Sequence, residues 1–116
     1  MGKDVKDILE LAYSAELGTK EGKVIPYNFM HVYCEHLRNT IIKEVDCGNK
    51  PLAGLKISVD AGNGVGGFYA SDVLEPLGAD VSGSQFLEPD GMFPNHIPNP
   101  ENKEAIASAC EMVKNS

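Results

Sequence analysis

Leu55-Lys-Ile-Ser-Val-Asp-Ala-Gly-Asn-Gly-Val-Gly-Gly67 contains the change of period on which the fold turns. Leu55, Ile57 and Val59 alternate with Lys56 and Ser58, the two-residue repeat of a half-buried strand. The glycine-rich turn follows at once, and a helical repeat opens behind it with Tyr69, Val73, Leu74 and Leu77 on one face. Pro76 lacks an N–H and clashes one turn back, so it must distort the end of that helix before Gly78 closes it. Ala79 to Leu87 reads as a second, weaker strand interrupted by Gly83. Two strands with a helix between them read as a parallel pair joined by a crossover.

A polar loop, Glu88 to Asn99, comes next. Pro94, Pro98 and Pro100 fix three backbone angles in and just beyond it, which presents polar groups in a set pose at low entropic cost. Asn99 is the expected helix cap, with Pro100 in the first helical position and Glu101 where its charge suits the helix dipole. Ile106, Ala109, Cys110 and Val113 then share one face, on which Cys110 is expected to be a small buried apolar residue. Upstream, Asp4 to Leu17 carries a helical stripe of Val5, Ile8, Leu9 and Ala12, with Gly18 as its stop. Thr19 to Tyr27 is polar and reads as a linker. Asn28 to Val45 forms a second helix with Tyr33, Leu37, Ile41 and Val45 on one face, closed by Gly48.

The order is therefore helix, linker, helix, then β-α-β-loop-α, an α/β class. Two strands fall short of the three usually needed for independent stability, so the sheet is expected to be incomplete in this chain. A length of 116 residues suits one modest core. The net charge of −7 disfavours nucleic acid, whose binding relies on basic side chains neutralising phosphates. No apolar run approaches the length of a membrane span. Cys34, Cys47 and Cys110 fit no zinc or redox spacing and are expected to be free thiols in a reducing, intracellular compartment, cytoplasmic or organellar.

Gly62, Gly64 and Gly67 match G-x-G-x-x-G after a strand, the pattern by which a backbone approaches a dinucleotide pyrophosphate. Asp60 stands where that pyrophosphate would lie and would repel it unless turned away. Glu88, the acidic residue that should follow a second strand, falls in a loop. A tight turn with close strand–helix packing is the alternative use of these glycines. In the loop, Asn95 and His96 are placed either to hold a phosphate, a sugar hydroxyl or a neighbouring domain, or to tie the loop to itself. His31, Cys34, Glu35 and His36 cluster on the second helix, but a zinc site needs three or four convergent ligands with partners behind them. A packed or solvated role is expected there.

The strand-end Asp60-Ala-Gly-Asn-Gly64 and the loop Asp90-Gly-Met-Phe-Pro-Asn-His-Ile-Pro-Asn-Pro100 together resemble the second domain of the α-D-phosphohexomutases, the phosphoglucomutase/phosphomannomutase family. The resemblance implies a three-layer α/β/α domain with a small mixed, mainly parallel sheet. It divides the chain into the closing helix of a preceding domain (1–18), a linker (19–27) and the first part of the second domain (28–116). It also implies an intramolecular phosphoryl transfer on a hexose phosphate through a phosphoserine and Mg2+, with the other domains of the longer chain as partners. The serine loop, the Asp-x-Asp-x-Asp-Arg magnesium loop, the sugar loop and the phosphate loop that the family uses have no counterpart in these 116 residues. No catalytic, cofactor or metal residue is therefore assigned, and Asn63, Asn95 and His96 are carried forward as a cleft or domain-interface loop. The resemblance further implies that this piece is inactive alone. A non-catalytic homologue acting through binding, and a dinucleotide-binding domain, are the competing readings.

Overall fold

The computed structural model describes residues 2–16 and 18–116. Helix α1 spans Lys3–Ser14 and α2 spans Met30–Val45. A single 3-10 turn, Val65–Gly67, leads into a π-helical segment, Tyr69–Leu74, and α3 spans Lys103–Asn115. Residues 18–29 carry no helix or strand.

The core is small and lies where α2 meets the crossover. Cys34, Val73 and Leu77 are nearly sealed from solvent, at 1–2% exposure, and Leu37, Ile41, Ile42, Leu52 and Phe68 pack around them. Burying a side chain the size of Val73 or Leu77 contributes about 1.5–3 kcal/mol. The stripe expected on α2 is thus used through Leu37 and Ile41, but its centre is Cys34, whose thiol behaves as an apolar filler. Val45 lies at the exposed end of α2. That helix starts at Met30, two residues after the expected Asn28, because the Asn28 side-chain oxygen accepts the Met30 N–H from in front of the first turn. It ends at Asp46, which takes the left-handed conformation before Gly48 is reached.

Two extended segments, β1 (residues 55–61) and β2 (residues 79–86), run parallel. Lys56 bridges to Asp80 and Asp60 to Gln85. Four steps on β1 match five on β2, so β2 carries one extra residue. That residue is absorbed in a turn at Ser82 and Gly83, closed by Ser84 N–H to Val81 O at 2.9 Å. The ladder opens there, and the Ser84 hydroxyl accepts the Val59 N–H at 3.0 Å in place of a backbone carbonyl. The expected strands are therefore a bridged pair interrupted at Gly83 rather than a continuous ladder, because a one-residue bulge breaks the hydrogen-bond register. Hydrogen bonds from Ser82 hold the Asp80 carboxyl below its ordinary pKa at this bulge.

Pro76 acts as expected, with an added detail. The helix before it widens to a five-residue hydrogen bond, Glu75 N–H to Ala70 O at 3.0 Å, and past it Gly78 turns left-handed and Ala79 N–H closes the end on Leu74 O at 3.2 Å. The wider turn accommodates a residue that cannot donate. Helix α3 begins three residues later than expected. Asn102 is its cap, accepting N–H bonds from Glu104 and Ala105 at 2.9 and 3.2 Å. Asn99 instead caps a separate turn, accepting the Glu101 N–H on its side chain and the Asn102 N–H on its carbonyl.

Helix α1 ends at Ser14, before the expected Leu17, which lies outside the described residues. Its Val5, Ile8 and Leu9 are exposed and pack against no other helix. The chain has a radius of gyration of 19.9 Å, against roughly 13 Å for a compact chain of about 100 residues, as an α1 standing apart from the core requires.

The third glycine of the turn has one structural use. A Cβ on Gly67 would sit 1.8 Å from the Leu87 carbonyl oxygen, so the crossover and the end of β2 touch backbone to backbone. On neighbouring Gly66 the nearest atom to a Cβ is on Tyr69 at 3.9 Å. Gly67→Ala is expected to destabilise the chain by about 1–3 kcal/mol or more, as overpacking does, while Gly66→Ala stays within about 0.5 kcal/mol. Urea unfolding of the two variants tests this, and equal costs would contradict the close approach.

Candidate functional site

β1 ends at Asp60, and its carboxylate gathers donors from three directions. One oxygen accepts the Gly62 N–H at 3.0 Å across the tight turn. The other accepts the Gln85 side-chain amide at 2.9 Å from β2. His96 Nε2 lies 3.2 and 3.1 Å from the two oxygens, reaching back from the proline loop. The Gln85 amide is also 2.9 Å from the Ser108 hydroxyl, which ties α3 to the same cluster. Asp60 and His96 side chains are 11% and 8% exposed, so the pair is largely sealed.

Local conformation brings the partners together. Gly62 is left-handed at φ +52, and a Cβ there would lie 3.0 Å from His96 Cε1, so a glycine leaves room for the ring. Asn63 follows in the same region, at φ +59, which asparagine tolerates better than most residues. Its side-chain amide donates to the Glu88 carbonyl at 2.9 Å, and its N–H donates to the Phe86 carbonyl at 2.9 Å. Asn95 donates to the Asn63 side-chain oxygen at 2.7 Å. Phe86 packs edge-on against the His96 ring, with centroids 5.6 Å apart.

The three residues singled out in the sequence, Asn63, Asn95 and His96, therefore converge on one junction between the glycine turn and the proline loop. Asp60, Gln85 and Ser108 complete it and were not foreseen as partners. Asp60 accepts the turn's own Gly62 N–H, so its carboxylate stays at the turn and occupies a donor that a pyrophosphate would need. His96 has no ring nitrogen to spare, because Nδ1 lies 3.1 Å from the Ile97 carbonyl and Nε2 faces the carboxylate. Both partners are acceptors, so the geometry suits the doubly protonated imidazolium. The Ile97 carbonyl and the Asp60 carboxylate raise the His96 pKa against the opposing effect of burial. Held through both ring nitrogens, His96 clasps the proline loop to the end of β1.

Beside the clasp lies an open cleft of about 730 Å3. One wall is Asp60, Gly62 and His96, and the other is the apolar face of α3 with Ile106, Cys110 and Val113. Cys110 is exposed on this wall, contrary to the buried position expected, because among the described residues no other helix packs against α3. Cys34 is the buried thiol. The cleft offers Lys114 and no cluster of cations, so its surface is more apolar than a phosphate site requires. His31, Glu35 and His36 are exposed on α2, and among the described residues no group of three His, Cys, Asp or Glu is placed to hold a metal. Among those residues no helix is long and apolar enough to cross a membrane.

A raised His96 pKa has a definite sign in stability. The stabilisation is fully present below the unfolded value of about 6.5 and is lost as pH rises through the folded value. Replacing His96 by Gln is expected to destabilise the chain by about 1–3 kcal/mol at pH 6 and by less at pH 9. Urea unfolding of both proteins across this range checks it, and a difference independent of pH would contradict a charged clasp.

Residues 31–116 match the family described as phosphoglucomutase/phosphomannomutase, alpha/beta/alpha domain II. The phosphoglucomutase of Neisseria meningitidis serogroup A is 41% identical over 96 residues, 83% of this chain and 19% of that protein. The phosphoglucomutase of Neisseria gonorrhoeae is 33% identical with the same two shares. The phosphomannomutase/phosphoglucomutase of Pseudomonas syringae pv. tomato is 30% identical over 112 residues, 97% of this chain and 22% of that protein. No solved structure gives a significant match. The chain spans about a fifth of the length of these curated relatives. With most of its length matched to one family, the chain belongs to the phosphoglucomutase/phosphomannomutase family and corresponds to its alpha/beta/alpha domain II.

Proposed function

We propose that this chain serves as the second domain of an enzyme that moves a phosphoryl group between two positions of a hexose phosphate, through a phosphoserine and Mg2+. The observation that carries the reading is the family match over residues 31–116, joined by relatives named phosphoglucomutase and phosphomannomutase. Catalysis of phosphoryl transfer rests on positioning and on cationic stabilisation of the transferring group. The residues described here supply little of the second. Both Asp60 oxygens already accept hydrogen bonds, and the nitrogens of His96 are taken, so this junction does not fit a magnesium ion. In the proposed enzyme the phosphoserine and the metal ligands are contributed from outside these 116 residues.

The role left for this chain is a frame. The clasp fixes the glycine turn against the proline loop, and both lie at the ends of the parallel segments, where open α/β sheets present their ligand loops. A domain of this kind holds a neighbouring catalytic loop at a set distance from substrate. A coupled assay with glucose 1-phosphate or mannose 1-phosphate and added Mg2+ tests the division of labour. The 116-residue chain is expected to show no turnover above the no-protein rate. Measurable turnover by this chain alone would overturn the assignment of the chemistry to other segments.

A further inference from the structure

The chain holds one Asn-Gly dipeptide, Asn63-Gly64, and one Asp-Gly dipeptide, Asp90-Gly91. The two touch, since the Asp90 N–H donates to the Asn63 carbonyl at 2.8 Å. A glycine behind an Asn or Asp has a backbone nitrogen that no side chain shields. That nitrogen can attack the side-chain carbonyl carbon one residue back and close a succinimide ring. In an unfolded chain the Asn-Gly pair is the more reactive, because an ionised carboxylate is a poor electrophile and an amide carries no such charge.

The structure reverses that order. The Asn63 side-chain nitrogen donates to the Glu88 carbonyl at 2.9 Å, and its side-chain oxygen accepts from Asn95 at 2.7 Å. The attacking group, the Gly64 N–H, donates to the Ala61 carbonyl at 2.7 Å. Closing the ring at Asn63 breaks all three of these bonds, which amounts to a local opening of the junction.

Asp90 is disposed the other way. Asp90, Gly91 and Met92 are exposed. One Asp90 carboxyl oxygen accepts the Met92 N–H at 2.9 Å, the Asx turn in which a side chain folds back on its own backbone. The ring of atoms closed by that bond runs through the Gly91 nitrogen, so the carboxyl carbon is kept close to its nucleophile. The Gly91 N–H has no hydrogen-bond partner among the described residues, and no atom lies within 4 Å of a Cβ built there. Reaction at Asp90 gives up one exposed hydrogen bond and opens nothing else.

Water alone balances the reaction. The Gly91 nitrogen gives up its proton and bonds to Cγ of the neutral carboxylic acid, whose hydroxyl leaves as water. A second water opens the ring. Attack at Cγ restores aspartate, and attack at the main-chain carbonyl leaves the chain running through Cβ and Cγ, as isoaspartate. The product keeps the mass of the starting chain, with a backbone longer by one methylene.

That methylene falls between two fixed points. Asn63 holds the loop at both ends, accepting the Asp90 N–H on its main-chain carbonyl and the Asn95 amide on its side-chain oxygen. Lengthening the backbone between these anchors displaces one of them, and His96 follows directly on Asn95. We infer that Asp90-Gly91 is a site of spontaneous isoaspartate formation in the folded chain, and that the conversion loosens the hold of His96 on Asp60.

Ageing the chain at neutral pH and body temperature, folded or in concentrated urea, tests the first part. Chymotrypsin, cutting after Phe68 and Phe86, separates the two sites for peptide mapping. Isoaspartate is read as a peptide of unchanged mass and shifted elution that accepts a methyl group from S-adenosylmethionine through an isoaspartyl methyltransferase. Deamidation of Asn63 is read from the mass change of amide to acid. Folding is expected to slow Asn63 deamidation about tenfold or more, whereas isoaspartate at Asp90 forms at about its urea rate or faster. Asp90→Glu, which would need a larger ring, is expected to abolish methyl acceptance by the peptide that carries it. Deamidation of Asn63 ahead of Asp90 conversion in the folded chain overturns the inference, and so does unchanged methyl acceptance in Asp90→Glu. The second part is read on the isomerised chain, separated by chromatography, from the titration of the His96 ring. Its midpoint is expected to fall towards the ordinary imidazole value of about 6.5, and the urea midpoint to fall with it. An unmoved His96 midpoint overturns the link to the clasp.

Discussion

The contact between Asp60 and His96 is the constraint on which this structure depends. It joins residues 36 positions apart and does so with a carboxylate and an imidazole that are both almost closed to solvent. A buried charge without partners costs several kcal/mol. Here the carboxylate has the Gly62 N–H, the Gln85 amide and the imidazole, and the imidazole has the carboxylate and the Ile97 carbonyl. Each group is satisfied only while the others hold position, so the glycine turn, the end of β2 and the proline loop are fixed together. Gln85 extends the same network to α3 through Ser108.

The network also explains why so little apolar core suffices to organise residues 55–116. The sealed cluster around Cys34, Val73 and Leu77 secures α2 and the crossover, but α3 has only Ala105 buried. Its place is set by polar contacts and by its cap at Asn102, with its apolar side left open on the cleft. The glycines serve this arrangement through geometry. Gly62 makes room for the imidazole, and Gly67 lets the crossover touch the Leu87 carbonyl. A pattern that reads like a dinucleotide fingerprint is used here for close packing, in front of a 3-10 turn of three residues.

Much of this was legible in the sequence where the signal is local. The two-residue repeat of Leu55, Ile57 and Val59, the break at Gly83, the distortion before Pro76 and the helix bearing Ile106 all follow from short-range rules. The paired motifs around Asn63 and His96 were enough to bring the family into view. Other features could not be read locally. The cap of α3 moved from Asn99 to Asn102 because both asparagines can cap, and the choice between them depends on where the proline loop must end. Cys110 was expected to be buried because periodicity identifies an apolar face but not what covers it. The pairing of Asp60 with His96 carries no short-range signal at all, since neither residue type nor spacing distinguishes it from an exposed acid and a loop histidine. It is visible only once the turn and the loop are placed side by side.

The central claim is that His96 is a charged clasp with both ring nitrogens donating. The measurement that tests it most directly is an NMR titration of the His96 ring with nitrogen-15 detection on the folded chain. The account predicts two protonated ring nitrogens persisting above pH 6.5, the ordinary value for an imidazole. A single neutral tautomer at pH 6.5, or a midpoint at or below that ordinary value, would contradict it.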